Sequence, residues 1–368
     1  MSNILLLRNF AEDNRTSMEV YADNLLNAFS EQNLSFNIRH YRPATRFSRM
    51  GEAGKWQMRF ARYLEYPAQV KRFNAHVYHI TEHGYAHLIK NLPPEQTVVT
   101  VHDLIPMLRH SGAIKGVTPG KNPRLARYSL SYLKQAAHLI AISENTKKDL
   151  IKHCNCSAEK ISVVYYGLPD THAHQTLSKS QARAQLDLPA CSQKLVLISG
   201  QEFYKNLETS VKVYNQLRQQ HDIRLVHLGR INRTWLEAKA QAHCAHSIIE
   251  LNQIPHTDIT KLYKAVDCVL FPSWYEGFGL PPLEAMACGT PAVSSSVASL
   301  PEAVGDAGLT AAPDDIDGLC RAVESVLYND QLRNQLIEKG LVHSKRFNWA
   351  NCAKQTLAVY QKTLDAIN

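Results

Sequence analysis

Two carboxylates, Glu276 and Glu284, stand eight positions apart in the run FPSWYEGFGLPPLEAMACGTP (271–291). Pro281 and Pro282 preset φ for a first helical turn and lack the amide hydrogens that such a turn leaves unpaired. The spacing therefore predicts Glu276 in a Gly-rich loop and Glu284 in the first turn of the helix after it. Gly277 and Gly279 remove side chains where a ligand would approach the backbone. The free N–H groups and positive end of that helix suit a diphosphate. An acid on either side of bound phosphates makes sense as an acceptor of hydrogen bonds from sugar or ribose hydroxyls. The run reads as a nucleotide-sugar site; the competing reading is an ordinary βα turn with a solvated Glu.

Such a loop needs a strand before it, and the chain supplies strands throughout. Short apolar runs at Ile4–Leu7, Val98–Val101, Leu139–Ile142 and Ser162–Tyr165 predict strands in the first half. Lys194–Ser199, Arg224–Leu228, Ser247–Glu250, Asp267–Phe271 and Ala292–Ser294 do so in the second. Helical patterns lie between them. Thr16-x-x-Glu19 reads as a capping box opening a helix through Phe29. Asn206 reads as a cap for a helix whose face carries Leu207, Val211, Tyr214 and Leu217. Alternating strands and helices imply α/β architecture with parallel sheets, hence two doubly wound, Rossmann-like domains facing a central cleft. Ligands in such sheets bind beyond the carboxyl ends of strands. The expected divisions are 1–180, 181–345 and a C-terminal helix, 346–368, returning to the first domain, with the polar stretch Leu168–Pro189 as linker.

Composition excludes several classes. A chain of 368 residues, 45% hydrophobic and 20% charged, can bury two cores and is not disordered. No stretch approaches the roughly 20 apolar residues of a membrane span. The opening MSNILLLRNFAED turns acidic straight after its apolar run, so it reads as a strand and not a signal peptide. Eight scattered cysteines form no framework and suggest free thiols in a cytoplasmic protein. The formal net charge of +8 is uneven: residues 1–180 hold 23 Lys/Arg against 14 Asp/Glu, giving +9, which leaves −1 for the rest. Cations and aromatics interleave between Arg39 and Arg72, including Arg46, Phe47, Arg49, Lys55, Trp56, Arg59, Phe60, Arg62 and Tyr63. That segment suits an anionic membrane surface or a lipid diphosphate; the alternative is a solvated basic helix. No nucleic-acid motif accompanies it.

The EGFG-to-GDAG stretch closely resembles the E-x7-E signature of retaining family 4 glycosyltransferases, which have the GT-B fold. The resemblance extends to TVVTVHDLIP (97–106), HLIAISENTKKDL (138–150), ISVVYYGLPD (161–170) and LISGQEFYKNLE (197–208), in family order. It implies a metal-independent enzyme without a cofactor, whose donor is a nucleotide sugar and whose acceptor is a glycan or lipid-linked sugar. By that resemblance Glu276 accepts donor-sugar hydroxyls, Glu284 holds the ribose, and the backbone N–H groups of Phe278, Gly279 and Leu280 meet sugar and phosphates. Ile254 matches a place where the base is bracketed. Lys205, in the loop opened by Gly200, is the candidate cation for the leaving phosphate. Gln201 and Tyr204 stand where Arg is common, so either Lys205 works with helix dipoles alone or Arg230 adds a charge.

His102 and Asp103, just past Val98–Val101, are expected to orient sugar and acceptor. Glu82, His83, Tyr85 and His87 are expected on the acceptor side. The family's Gly-Gly loop after the first strand is replaced by Arg15-Thr16-Ser17. The closest look is to bacterial mannosyltransferases, which implies GDP-mannose, with a UDP-sugar as the alternative. Asp315-Ile316-Asp317 fits a metal-binding DxD pattern but follows Pro313 and opens an amphipathic helix, which explains the acids better. No GxGxxG follows either opening strand, which argues against a dinucleotide oxidoreductase. A same-fold epimerase, a silent nucleotide-sugar-binding partner subunit and a nucleic-acid module are the rival readings.

Overall fold

A computed structural model describes residues 2–13, 16–32, 36–44, 51–168, 177–190, 192–252 and 254–367. Two compact units divide the chain. Unit 1 takes Met1–Ser111, Gly120–Gly167 and Trp349–Asn368; unit 2 takes Gly112–Pro119 and Leu168–Asn348.

Unit 1 holds a six-stranded parallel sheet: β1 (Ser2–Leu7), β2 (Phe36–Tyr41), β3 (Val77–Ile80), β4 (Thr97–Val101), β5 (His138–Ala141) and β6 (Ile161–Val163), ordered β2-β1-β3-β4-β5-β6. Strands covered on both faces read as continuous apolar runs, and Ile4, Leu6, Val98, Val99 and Ile140 are at most 1% exposed. The helix Thr16–Ser30 packs with the helix Trp349–Asp365, whose Tyr360 hydroxyl lies 2.6 Å from Nδ1 of His79 on β3. Burial drives the His79 pKa down to about 3, so this imidazole is neutral.

Unit 2 repeats the plan with β7 (Lys194–Ser199), β8 (Ile223–Leu228), β9 (Ile249–Leu251), β10 (Cys268–Phe271), β11 (Ala292–Ser295) and β12 (Leu309–Ala311), ordered β12-β11-β10-β7-β8-β9. Tyr214, Trp235, Leu270 and Val323 stand in one buried cluster, and Leu197, Val226, Leu262 and Val269 in another. In both units the chain builds outward from its first strand, then reverses. The reversal lies between β1 and β3 in unit 1 and between β7 and β10 in unit 2.

Several expectations change. β2 carries exposed Arg39 and His40, which hide an edge strand inside the basic segment. The remainder of that segment becomes the helix Gly51–Phe60, a wide π-helical turn over Ala61–Glu65 and the helix Tyr66–Val70. Arg46, Phe47 and Arg49 lie outside the described residues, as do Arg15 and the side chains of Thr16 and Lys55. The presumed linker contains a helix, Lys179–Gln185, opened by a capping box between Ser178 and Gln181; residues 169–176 of it lie outside the described ones. Arg183 is 1% exposed, and its guanidinium donates to Ala265 O at 2.7 Å and pairs with Asp267 at 2.7 Å. Bonds from Arg183 to the end of the helix His256–Ala265, to the loop before β7 and to Asp267 just before β10 anchor this helix, so its polar sequence reads as a linker.

Candidate functional site

Beyond the carboxyl end of β7 the chain must turn tightly. Gly200 adopts φ +113°, a region closed to most side chains, and a Cβ there would stand 2.6 Å from Cγ of Lys205. The glycine thus makes room for the aliphatic stem of Lys205. Its ammonium lies 4.6 Å from the centre of the Phe271 ring and 2.8 Å from Oε1 of Glu276. Glu276 comes from the loop after β10, 71 positions away, and is 8% exposed. The two loops flank the strand-order reversal, the crevice at which doubly wound sheets hold ligands.

The Glu276 loop is fixed from below. Ser299 Oγ lies 2.9 Å from the carbonyl of Glu276 and 2.7 Å from that of Phe278, within bonding reach of both. Gly279 has φ +111°, and a Cβ on it would meet Leu300 Cδ2 at 2.7 Å. From that left-handed residue the helix Leu280–Ala287 starts, so Glu284 sits in its second turn and not in its first. Its carboxylate accepts from the hydroxyl of buried Tyr263 at 2.8 Å. That bond fixes the carboxylate while leaving further lone pairs for a ligand.

Asn206 does not cap as expected. It stands in the left-handed conformation, and its Nδ2 donates to Pro272 O at 2.9 Å and Pro313 O at 2.7 Å, tying the Lys205 loop to the loop after β10. Gln201 joins the loops after β7 and β8: its Oε1 accepts from Arg230 N at 3.2 Å, and its carbonyl accepts from Asn232 Nδ2 at 2.9 Å. Arg230 itself is exposed. Ile254 lies past β9 on the sheet edge, packed against the cluster of Leu197 and Leu262. His227 was not anticipated. Its ring stacks on Trp235 at 3.8 Å, and Nε2 donates to Gly200 O at 2.9 Å. Burial lowers its pKa, so a neutral imidazole holds the glycine turn. A lone His inside a strand carries no signal for that role in sequence.

His102 and Asp103 belong to unit 1, at the end of β4. His102 is 1% exposed, with Nε2 donating to Thr81 O at 2.8 Å and Nδ1 bonded to the Tyr166 hydroxyl. Both ring nitrogens are engaged, so a sugar could bond this imidazole only after displacing Tyr166 or the carbonyl. Asp103 accepts from Ile105 N at 2.9 Å and shapes the turn. Glu82 is fully buried and accepts from Gly84 N at 3.3 Å. Tyr85 bonds Asp13, and His87 lies between Ser129 and Arg62 O, 2.9 Å from each. Asp315 accepts from Gly318 N as a helix cap, and Asp317 accepts from Gln216, which accounts for the DxD pattern. No group of three or more metal-ligating side chains occurs among the described residues.

Two family models match the chain: Glycosyltransferase Family 4 over residues 18–172 and Glycosyl transferases group 1 over 178–342. O-antigen chain mannosyltransferase B of Escherichia coli is 30% identical over 234 residues, 62% of this chain and 61% of that protein. The serotype-specific mannosyltransferase WbdA of Escherichia coli is 25% identical over 284 residues, 74% of this chain and 34% of that one. The chain thus spans under two thirds of the length of each of these relatives. Sucrose-phosphate synthase of Thermosynechococcus elongatus superposes with a TM-score of 0.78 at 18% identity, covering all of both chains.

Proposed function

This chain belongs to the family 4 glycosyltransferases, with their GT-B fold of two Rossmann-like domains, and from that premise we propose that it is a retaining, metal-independent hexosyltransferase. The donor is a nucleoside diphosphate sugar, GDP-mannose in first place, and the acceptor a glycan or lipid-linked sugar. The observation that carries this reading is the Lys205–Glu276 pair at the reversal between β7 and β10, with Glu284 a turn into the next helix. The preference for mannose is supported by the names of the two Escherichia coli relatives.

In the proposed reaction the bond from the anomeric carbon to the diphosphate oxygen breaks while the acceptor oxygen bonds that carbon from the same face. The acceptor proton passes to the departing phosphate. Lys205 and the N–H groups of the Gly-rich loop offset the charge that builds on the phosphate, a fixed electrostatic term. Glu276 accepts sugar hydroxyls and faces the positive charge growing at the anomeric centre. Glu284 holds the ribose.

A thermal-shift panel of GDP, UDP, ADP and dTDP tests the donor. A ligand at 100 times its Kd stabilises by about 2.7 kcal/mol, so the right base stands out. Glu284→Gln keeps an oxygen for Tyr263 and should weaken the preferred nucleotide by about 1.5 kcal/mol, the loss of one charge-assisted bond. Unchanged affinity in calorimetry would remove the ribose assignment. Conversion of the donor to its epimer, with no transfer to any saccharide, would move the chain to the epimerase reading.

We also propose that the enzyme works on the cytoplasmic side at an anionic membrane surface. Trp56, Phe60 and Leu64 are 68%, 49% and 60% exposed, and Arg59 lies over the Trp56 ring at 5.0 Å. Arg62 has no part in this surface, because it is turned inward onto Tyr85 and Gly84. Each cation near such a surface contributes about 1 kcal/mol, and 1 M salt, with a Debye length of about 3 Å, should release the protein. Sedimentation with anionic and neutral vesicles across a salt series decides it; equal binding to both defeats the idea.

A further inference from the structure

Leu225 and His227 lie two positions apart on β8, so their side chains leave the same face of the sheet. That face belongs to the buried cluster of Leu225, Trp235 and Leu270. His227 is fully buried there, its ring lying on Trp235 with 13° between the planes. Its Nδ1 is buried without a protein partner. An imidazole at an apolar place is therefore costly, and an apolar side chain would leave no such atom unpaired. What the histidine adds is one hydrogen bond, from Nε2 to Gly200 O at 2.9 Å. Resting on the glycosyltransferase reading, we propose that His227 is a positioning residue for turnover: it fixes the Gly200 peptide along which Lys205 is laid.

Three constraints meet at Gly200. Its N–H donates to Leu228 O at 2.8 Å, and its carbonyl accepts from His227. Gly229 lets the two strand ends close up, because a Cβ there would stand 2.6 Å from Gly200 O. The peptide is planar, so fixing this carbonyl also fixes the Gly200–Gln201 plane from which the loop to Lys205 departs. A Cβ on Gly200 would stand 2.6 Å from Cγ of Lys205 and 3.0 Å from Cδ and Cε. The lysine stem thus runs along this glycine, and a turn of the peptide plane displaces it. The imidazole is itself held in place: Trp235 Nε1 donates to Glu250, which pairs with Lys239 at 2.6 Å. The influence of His227 on the reaction passes through Gly200 to Lys205, and from there to the leaving phosphate.

The test compares His227→Leu, which packs but cannot donate, with His227→Gln, whose amide reaches about as far as Nε2. Gly200 is partly exposed, so water can take its carbonyl in the leucine variant and the fold should persist. His227→Leu should lower kcat about tenfold with donor KM nearly unchanged, within the roughly 100-fold that a 1 Å misplacement can cost. His227→Gln should recover most of that rate. His227→Asn, whose amide stops near the place of Nδ1, should behave like the leucine variant and replaces it if that one does not fold. In a Lys205→Ala background the loss should shrink to less than about twofold, because the group being positioned is gone; a merely structural histidine would cost the same factor in both backgrounds. Calorimetry gives a readout that needs no turnover, with GDP and UDP set against guanosine and uridine. A free diphosphate carries the charge that the reaction develops, so His227→Leu should weaken the diphosphate and spare the nucleoside. Unchanged kcat in the donor-less variants, an equal loss with and without Lys205, or diphosphate binding indifferent to His227 overturns the proposal. Failure of every nucleotide to bind the unmutated chain would instead remove the glycosyltransferase reading on which it rests.

Discussion

Lys205→Ala is expected to lower kcat by about 10²- to 10³-fold, the scale on which losing one fixed donor to a developing oxyanion slows other enzymes. Addition of Mg²⁺ should not restore the rate, because the proposed scheme has the lysine neutralise the leaving phosphate. The same substitution should also cost stability. Glu276 is 8% exposed and its Lys205 partner lies at 2.8 Å; stripping the cation leaves a nearly buried carboxylate uncompensated. Breaking such a pair costs about 3–5 kcal/mol when fully buried, and the residual exposure of both groups puts this one near the lower end. Lys205→Ala with Glu276→Gln separates the two effects: the double variant should regain most of the stability and none of the rate. Recovery of kcat in the double variant, or loss of activity in the unmutated enzyme on adding EDTA, would defeat the metal-free scheme.

The largest purely structural effect should come from Asp267→Ala, far from any proposed chemistry. One carboxylate oxygen pairs with Lys179 at 2.7 Å; the other takes Arg183 at 2.7 Å and Leu195 N at 2.8 Å. Without it the Arg183 guanidinium stays buried and unbalanced, at about 3–5 kcal/mol. Against a typical total of about 5–15 kcal/mol, that is enough to unfold a large share of the protein near physiological temperature. Lys179→Ala is the control, because an ion pair with a half-exposed lysine contributes under about 1 kcal/mol. Urea unfolding measures both. Equal, small effects would mean that the carbonyls of Ala265, Ala190 and Gln193 suffice to hold Arg183.

What could be read in sequence follows from which forces leave periodic traces. Buried parallel strands are continuous apolar runs, so Lys194–Ser199 and the fold class were legible. Edge strand β2 and the polar helix Lys179–Gln185 were not, because exposure and side-chain-to-backbone bonds leave no apolar pattern. Glu276, Glu284 and Lys205 were legible as a motif, and their three-dimensional logic emerges from the sheet order. His102 was legible as a strand-end imidazole, but its engagement by Tyr166 and Thr81 depends on packing across four strands. Glu12 and Asp13 looked like the close of an opening strand. Arg62, the partner of Asp13, lay within a segment whose other cations and aromatics suggested a surface, yet in the wide helical turn Ala61–Glu65 it faces inward.

The path of the chain has a consequence for how the protein is made. Unit 1 is closed by the helix Trp349–Asp365, which follows all of unit 2 in sequence and covers His79 and Phe29 with Tyr360. At a synthesis rate of about 5–20 residues per second, roughly ten to forty seconds separate Gly167 from the arrival of that helix. During this interval the apolar faces of Thr16–Ser30 and β3 lack their cover while unit 2 can already fold. Unit 1 is therefore mostly translated before unit 2 yet completed after it, and in the interval its uncovered apolar faces are open to misassociation.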